Sequence, residues 1–311
     1  MNTARPRWGD LPAVVRGKVT RFLGEEVVSE EPQGGGYTPA MASLLTTSSG
    51  RALFCKAMPE EHPLCAALAA EAAVAASAPA GAALPGLVWE GTEDGWRVVV
   101  FTAVRGRHAN LSPGSDDVAA VVSALDGLAG DLTPCPLSTA PTAREVLSPL
   151  LSGWASLREQ PPPGLAPWAL ANLERLALLE EAWADHADGD TLTHGDIRAD
   201  QLLIDAQERV WVVDWAYPCR GAAWIDGVDL VTPLIMNGHT PEAAEKQVAG
   251  SARFASAPAV AVTSFAVAAA GYWARACRQA PPPGAGGAML RAFQARAADA
   301  ALAWVRHRLG E

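Results

Sequence analysis

The 311-residue chain has no cysteine pattern that would cross-link it or bind zinc. Its cysteines (Cys55, Cys65, Cys135, Cys219 and Cys277) are scattered and odd in number. None has CxxC spacing and no histidines cluster with them, which argues against a disulfide framework and for a reducing compartment. The opening "MNTARPRWGDLPAVV" lacks an apolar segment of the secretory kind, so a cytoplasmic location is expected. Charge is sparse, at 19% against 50% hydrophobic residues, a composition that folds rather than stays disordered. A basic stripe is also missing. The net charge of −10 argues against a nucleic-acid partner and is compatible with a positively charged small molecule. The longest uncharged run, residues 254–274, is long enough to cross a bilayer. Much of it is Ala, with Ser, Thr and Pro258 included, so a buried helix is expected there and no membrane partner. No GxSxG segment or poised cysteine supports a hydrolase built on His194 and Asp196.

What is present divides into two regions. Residues 10–30 read as a short helix and then an extended run, "GKVTRFLGEEVVSEE". "PQGGGYTP" follows as a glycine turn. "MASLLTTSSGRALFCKAMP" reads as two strands joined by "SSG". "HPLCAALAAEAAVAASA" reads as a helix without a breaker, and "LPGLVWEGTEDGWRVVVFTAV" as two strands around an Asp-Gly hairpin signal. A sheet with one packed helix is therefore expected over residues 1–103. Beyond a boundary near Ala103–Gly106, residues 104–311 read as a helical region. "DDVAAVVSALDGLAGDL", capped by Ser115 or Asp116, "AREVLSPLLSGWASLREQ" and "WALANLERLALLEEAWADH" are amphipathic. Short strands "QLLID" and "RVWVVDW" come next, and helices over 240–255, 257–279 and 288–309 close the chain.

The chemistry-bearing residues occur in an order that phosphoryl transfer would use. That reaction needs a turn whose backbone can approach phosphates, a lysine on a neighbouring strand, metal-binding carboxylates, and a carboxylate for the acceptor hydroxyl. Gly34, Gly35 and Gly36 supply the turn. Lys56 ends the strand "ALFCK", and Glu71 lies mid-helix fifteen residues on, where it would pair with that lysine. Asp196 lies in "HGD", and Asp214 follows the apolar strand "VWVV". Singly, each has a plainer reading: a flexible hairpin, a solvated lysine, a helix glutamate facing water, a structural histidine at 194. Their order and spacing are much more specific.

"HGDIRADQ", "LLID" and "VVDW" together resemble the aminoglycoside phosphotransferase and choline kinase family, whose pattern is HGDxxxxN, an apolar strand and [IV]DW. The resemblance implies an α+β, protein-kinase-like fold. A small antiparallel-sheet lobe with one main helix would bind nucleotide, and a larger helical lobe would carry the catalytic loop and acceptor site. It implies ATP or GTP as donor, Mg²⁺ as cofactor and a small-molecule hydroxyl as acceptor, aminoglycoside-like or metabolite, cationic ones included. Asp196 would orient the hydroxyl and take its proton. Asp214 and Gln201 would hold the metal, Lys56 the α- and β-phosphates, and Glu71 that lysine. The backbone of Phe101, Ala103 and Val104 would meet adenine. Asp226 would brace the catalytic loop and His194 would be architectural.

Two positions depart from the family pattern. Ala222 stands where an Asp is common, and Gln201 stands for Asn. The longer Gln side chain motivates a rival reading, a nucleotide-binding pseudokinase or regulatory module. A protein substrate is disfavoured, since Gly195 replaces the Arg of HRD and no APE-like segment follows Asp214. Asp229, Glu242 and Glu245 are acidic candidates for greeting a cationic acceptor, although acids on helix surfaces are common.

Overall fold

The computed structural model describes residues 5–34, 39–282 and 285–311. Helix α1 (Ala13–Leu23) is longer than expected and absorbs "GKVTRFL" before Gly24 ends it. Strands β1 (Val27–Pro32), β2 (Met41–Thr47) and β3 (Ala52–Pro59), helix α2 (Cys65–Ser77), and strands β4 (Leu87–Glu93) and β5 (Trp96–Thr102) follow. The strands form a five-stranded antiparallel sheet in the order β1-β2-β3-β5-β4. Asp94 and Gly95 both take positive φ (49° and 73°). A two-residue hairpin needs this backbone for its twist to match the strands it joins.

Period-2 alternation divides β3 and β5 between two cores. Leu53, Cys55, Ala57, Val98 and Val100 pack with Trp8, Leu11, Val15 and Val19 on one face. Phe54, Met58, Val99 and Phe101 pack with Cys65, Leu68 and Ala72 of α2 on the other. Lys56 lies between Cys55 and Ala57, so its side chain emerges on the α2 face.

Strand β6 (Gly106–His108), helices α3 (Asp116–Asp131), α4 (Ala143–Leu147), α5 (Gly153–Glu159), α6 (Pro167–Ala171) and α7 (Leu173–Leu179) come next. Ser115 caps α3, accepting from Asp117 N. The helix expected over "AREVLSPLLSGWASLREQ" divides into α4 and α5, with Pro149 between them. Proline lacks the N–H a continuing helix needs and restricts the residue before it. Strands β7 (Thr191–Thr193), β8 (Leu202–Asp205), β9 (Val210–Val212) and β10 (Cys219–Gly221) and helices α8 (Ile225–Asp229) and α9 (Val231–Met236) follow. The helix expected over 240–255 also divides, into α10 (Pro241–Val248) and α11 (Ala252–Ala255). Ser251 starts the second piece by accepting from Phe254 N. Helices α12 (Ala259–Ala276) and α13 (Ala285–Leu309) close the chain. Most of α12 is buried, and no helix among the described residues is long and apolar enough to cross a membrane.

Contacts group the chain into two compact units, 1–108 with 200–216, and 109–199 with 217–311. The expected boundary at 103/104 left 200–216 with the helical region. In the structure those residues join the first unit because β8 pairs with both β6 and β9. Val212 N donates to Ala83 O, and Arg209 holds the carbonyls of Gly81 and Ala82. Backbone pairing of this kind joins segments about a hundred residues apart, which no local sequence pattern reports.

Candidate functional site

In the first unit the structure joins Lys56, Glu71 and Asp214. Lys56 Nζ donates to Glu71 Oε1 and Oε2 at 2.9 and 2.7 Å and to Asp214 Oδ1 at 2.7 Å. The Lys56 and Glu71 side chains are only 14% and 11% exposed, so Glu71 does not face water as an ordinary helix glutamate would. Burial opposes charge on Lys56, but Glu71 and Asp214 overcome it and raise its pKa. Burial raises the Glu71 pKa, Lys56 pulls it down and Asp214 pushes it up again, leaving it above the ordinary value. With two carboxylates flanking a single ammonium, the lasting feature is a charged Lys56.

Asp214 has a left-handed backbone, φ 68°, a conformation Asp tolerates better than most residues. Its carbonyl accepts from Ala216 N at 2.9 Å, and the residue before it, Val213, donates from N to Gln201 O at 3.0 Å. The β8–β9 hairpin thus returns the chain so that the backbones of Gln201 and Val213 meet. Gln201 is buried at the end of a 3₁₀ turn, Ala199–Gln201. Gly34 is exposed beyond β1, while Gly35 and Gly36 lie outside the described residues. Phe101 is buried in β5 on the α2 face. Ala103 and Val104 follow the end of that strand and are half-buried.

In the second unit, α8 holds the loop that carries Asp196. Asp226 and Asp229 are one helical turn apart and share a face. Asp226 accepts from His194 N at 3.1 and 2.9 Å and from Gly195 N at 3.1 Å. Asp229 accepts from Ile197 N at 2.6 Å. The brace expected of Asp226 is therefore doubled by Asp229, which the sequence offers as a candidate for greeting a cationic acceptor. Gly195 makes the loop possible: φ is 72°, and a Cβ there would lie 2.8 Å from Tyr217 O. Arg198 pairs with Asp196 within the same loop. Its position two residues after Asp196 in "HGDIR" is the sequence signal for this pair.

Asp196 opens onto a pocket within this unit, with about 480 Å³ of empty space including its open mouth. Phe265, Ala269, Tyr272 and Trp273 line one wall, at the i, i+4, i+7 and i+8 spacing that puts residues on one helix face. Leu147, Leu150 and Leu151 line another; the turn after α4 brings them together, with Leu151 N donating to Leu147 O at 2.8 Å. Asp229 and Tyr217 complete the polar end with Asp196. Burial and then the Asp196 charge push the Asp229 pKa up to about 8. Burial, Asp196 and Tyr217 raise that of Tyr272. Neither Glu242 nor Glu245 lines this pocket. Glu242 is exposed, and Glu245 is engaged by Arg308 at 2.7 Å and by Trp304.

Residues 31–261 match the family model of the APH, or phosphotransferase enzyme, family. The chain belongs to this family. No curated protein matches it. A thermostable mutant of the aminoglycoside phosphotransferase APH(4)-Ia, in its apo form, superposes with TM-score 0.61 at 15% identity, covering 95% of this chain and 100% of its own. A choline/ethanolamine kinase family protein from Mesorhizobium loti gives 0.61 at 16% identity, over 96% and 94%. The choline kinase LicA from Streptococcus pneumoniae gives 0.58 at 16%, over 93% and 98%. The fold is thus the protein-kinase-like one of α+β class, as the motifs implied. Within the family, this chain keeps the HGD aspartate and the DW aspartate and carries Gln201 and Ala222 at the two divergent positions.

Proposed function

We propose that this family member transfers the γ-phosphate of ATP to a hydroxyl of a small molecule, with Mg²⁺ as cofactor. The observation that carries the reading is the bonding of Lys56 to both Glu71 and Asp214, residues 15 and 158 positions away. A cation held by Glu71 is positioned for phosphate oxygens, and since all three of its donors are engaged, the one on Asp214 would pass to a phosphate oxygen when nucleotide binds.

Lys56 would hold the α- and β-phosphates and Glu71 would fix its direction. Phe101, Ala103 and Val104 would offer backbone groups to the base, adenine being favoured over guanine only by the family's habit. Asp214 and Gln201 supply a carboxylate and an amide oxygen, hard donors of the kind Mg²⁺ selects. The backbone bond from Val213 N to Gln201 O brings together the segments that carry them. When bound, the ion would offset negative charge on the phosphates. Asp196 would align the acceptor hydroxyl. As the acceptor oxygen bonds to the γ-phosphorus, the bond from that phosphorus to the β–γ bridging oxygen breaks, the nucleoside diphosphate leaves, and the hydroxyl proton goes to Asp196.

Solved members of this fold carry the same kinds of ligand. One APH(4)-Ia structure is a ternary complex with AMP-PNP and hygromycin B, and a spectinomycin phosphotransferase contains ADP and spectinomycin. The test is ATP consumption by the purified protein with Mg²⁺ over a panel of hydroxylated antibiotics and metabolites. Acceptor-dependent ADP release supports the reading, and its absence across a broad panel counts against it.

Gln201 favours a second reading, a nucleotide-binding regulatory module without turnover. Thermal shift with ATP, with and without Mg²⁺, separates the two. ATP stabilisation that Mg²⁺ does not enhance favours the module, and enhancement by Mg²⁺ favours the enzyme.

A further inference from the structure

The pocket beside Asp196 has a chemistry of its own. Seven of the residues lining it are Leu147, Leu150 and Leu151 with the α12 set of Phe265, Ala269, Tyr272 and Trp273. The aromatic wall is rigid. Phe265 packs edge-on against Trp183 and Trp224, at 5.7 and 5.9 Å, and Tyr272 against Trp273 at 4.6 Å. Preorganised aromatic surface of this kind favours apolar or aromatic guests.

The polar end offers little to a multiply charged cation. Arg198 already pairs with the Asp196 carboxylate. Asp229 titrates near 8, so at neutral pH it is largely uncharged. Burial and the Asp196 charge raise the Tyr272 pKa, which keeps its phenol neutral there. Arg275 donates to the carbonyl of the lining residue Leu150 at 2.8 Å and adds positive charge close by. Among these groups Arg198 and Arg275 oppose the Asp196 charge, although the chain as a whole carries −10.

Resting on the phosphotransferase reading, we infer that the acceptor is an alcohol carried on an apolar body, an aromatic or aliphatic frame with at most one positive charge, rather than a polycationic amino sugar. The apolar frame lies against the leucines and the α12 aromatics, and its hydroxyl reaches Asp196.

The test pairs binding with turnover on the intact protein. Calorimetry and ATP consumption are measured with two uncharged aryl alcohols, tryptophol and chloramphenicol, and two polycations, kanamycin and hygromycin B. The aryl alcohols are expected to bind at least about tenfold more tightly than the polycations, a difference of ~1.4 kcal/mol. Leu150→Asp is expected to weaken them by about tenfold or more while the ATP-induced thermal shift persists, which shows that the variant folds. Leu150→Ala replaces it if it does not fold. Binding of the aryl alcohols with no phosphate transferred supports the pocket assignment and removes the phosphotransferase reading alone. Phosphorylation of the polycations but not the aryl alcohols overturns the inference and leaves that reading standing. Binding of neither class also overturns it.

Discussion

Lys56 and Asp214 are 158 residues apart in sequence, yet Lys56 Nζ donates to Asp214 Oδ1 at 2.7 Å while also holding both oxygens of Glu71. The two carboxylates meet at this one ammonium. Lys56→Met therefore leaves buried Glu71 without its cation, a loss of about 3 kcal/mol by the usual cost of halving a buried pair. Chemical denaturation checks the size. Adding Glu71→Gln should recover part of the loss, and strictly additive effects would show that the pair is not coupled.

Asp196→Asn keeps the shape and removes the proposed base. Turnover should fall by about 10²–10⁴, the usual contribution of a general base, with the ATP-induced thermal shift unchanged. Steady-state kinetics on whichever acceptor the panel yields measures this. Turnover near that of the parent would remove Asp196 from its assigned role.

Asp226→Ala strips the acceptor from His194 N and Gly195 N. Two donors without their partner cost about 1–3 kcal/mol each where water cannot replace it. Stability should fall, and kcat should fall more than KM for ATP rises, because the loop that carries Asp196 loosens. An equal effect on both constants would argue against a positioning role.

Asp229 makes a pH prediction. Its folded pKa lies above the ordinary aspartate value, near 8. The folded state therefore holds a proton that the unfolded chain releases, and between pH ~4 and ~8 this residue makes stability fall as pH rises. Asp229→Asn can still accept from Ile197 N but does not titrate. Its melting temperature relative to the parent should climb across that interval and level off above it. A difference independent of pH would mean that Asp229 is ionised throughout.

Gln201→Asn tests the metal site. Tighter Mg²⁺ dependence with preserved turnover, read by titrating Mg²⁺ in the assay, is expected if position 201 carries a ligand. No change in either would exclude it as one.

Much of this was legible in the chain. Alternating β3 and β5, the Asp-Gly hairpin and the helix of α2 follow from spacing within a few residues, because backbone geometry fixes which side chains share a face. "HGDIRADQ" and "VVDW" point to Asp196, Gln201 and Asp214 through their resemblance to the family pattern. Breaks at Pro149 and Ser251 were also written locally, but the longer apolar periodicity around them hid them.

Tertiary structure alone decided the rest. Whether Glu71 met water or Lys56 depended on which face of the sheet α2 covers. The grouping of 200–216 with the first unit depended on pairing to β6, far away in sequence. The sequence offers Asp229 only as an acid near the acceptor, and the packing of α8 along the loop makes it a partner of Ile197 N. The apolar wall beside Asp196 comes from Leu147–Leu151 and α12, segments more than a hundred residues apart. Sequence order sets which groups are available and how each local segment turns. Long-range packing determines burial and partners, and these set the charge state each group carries.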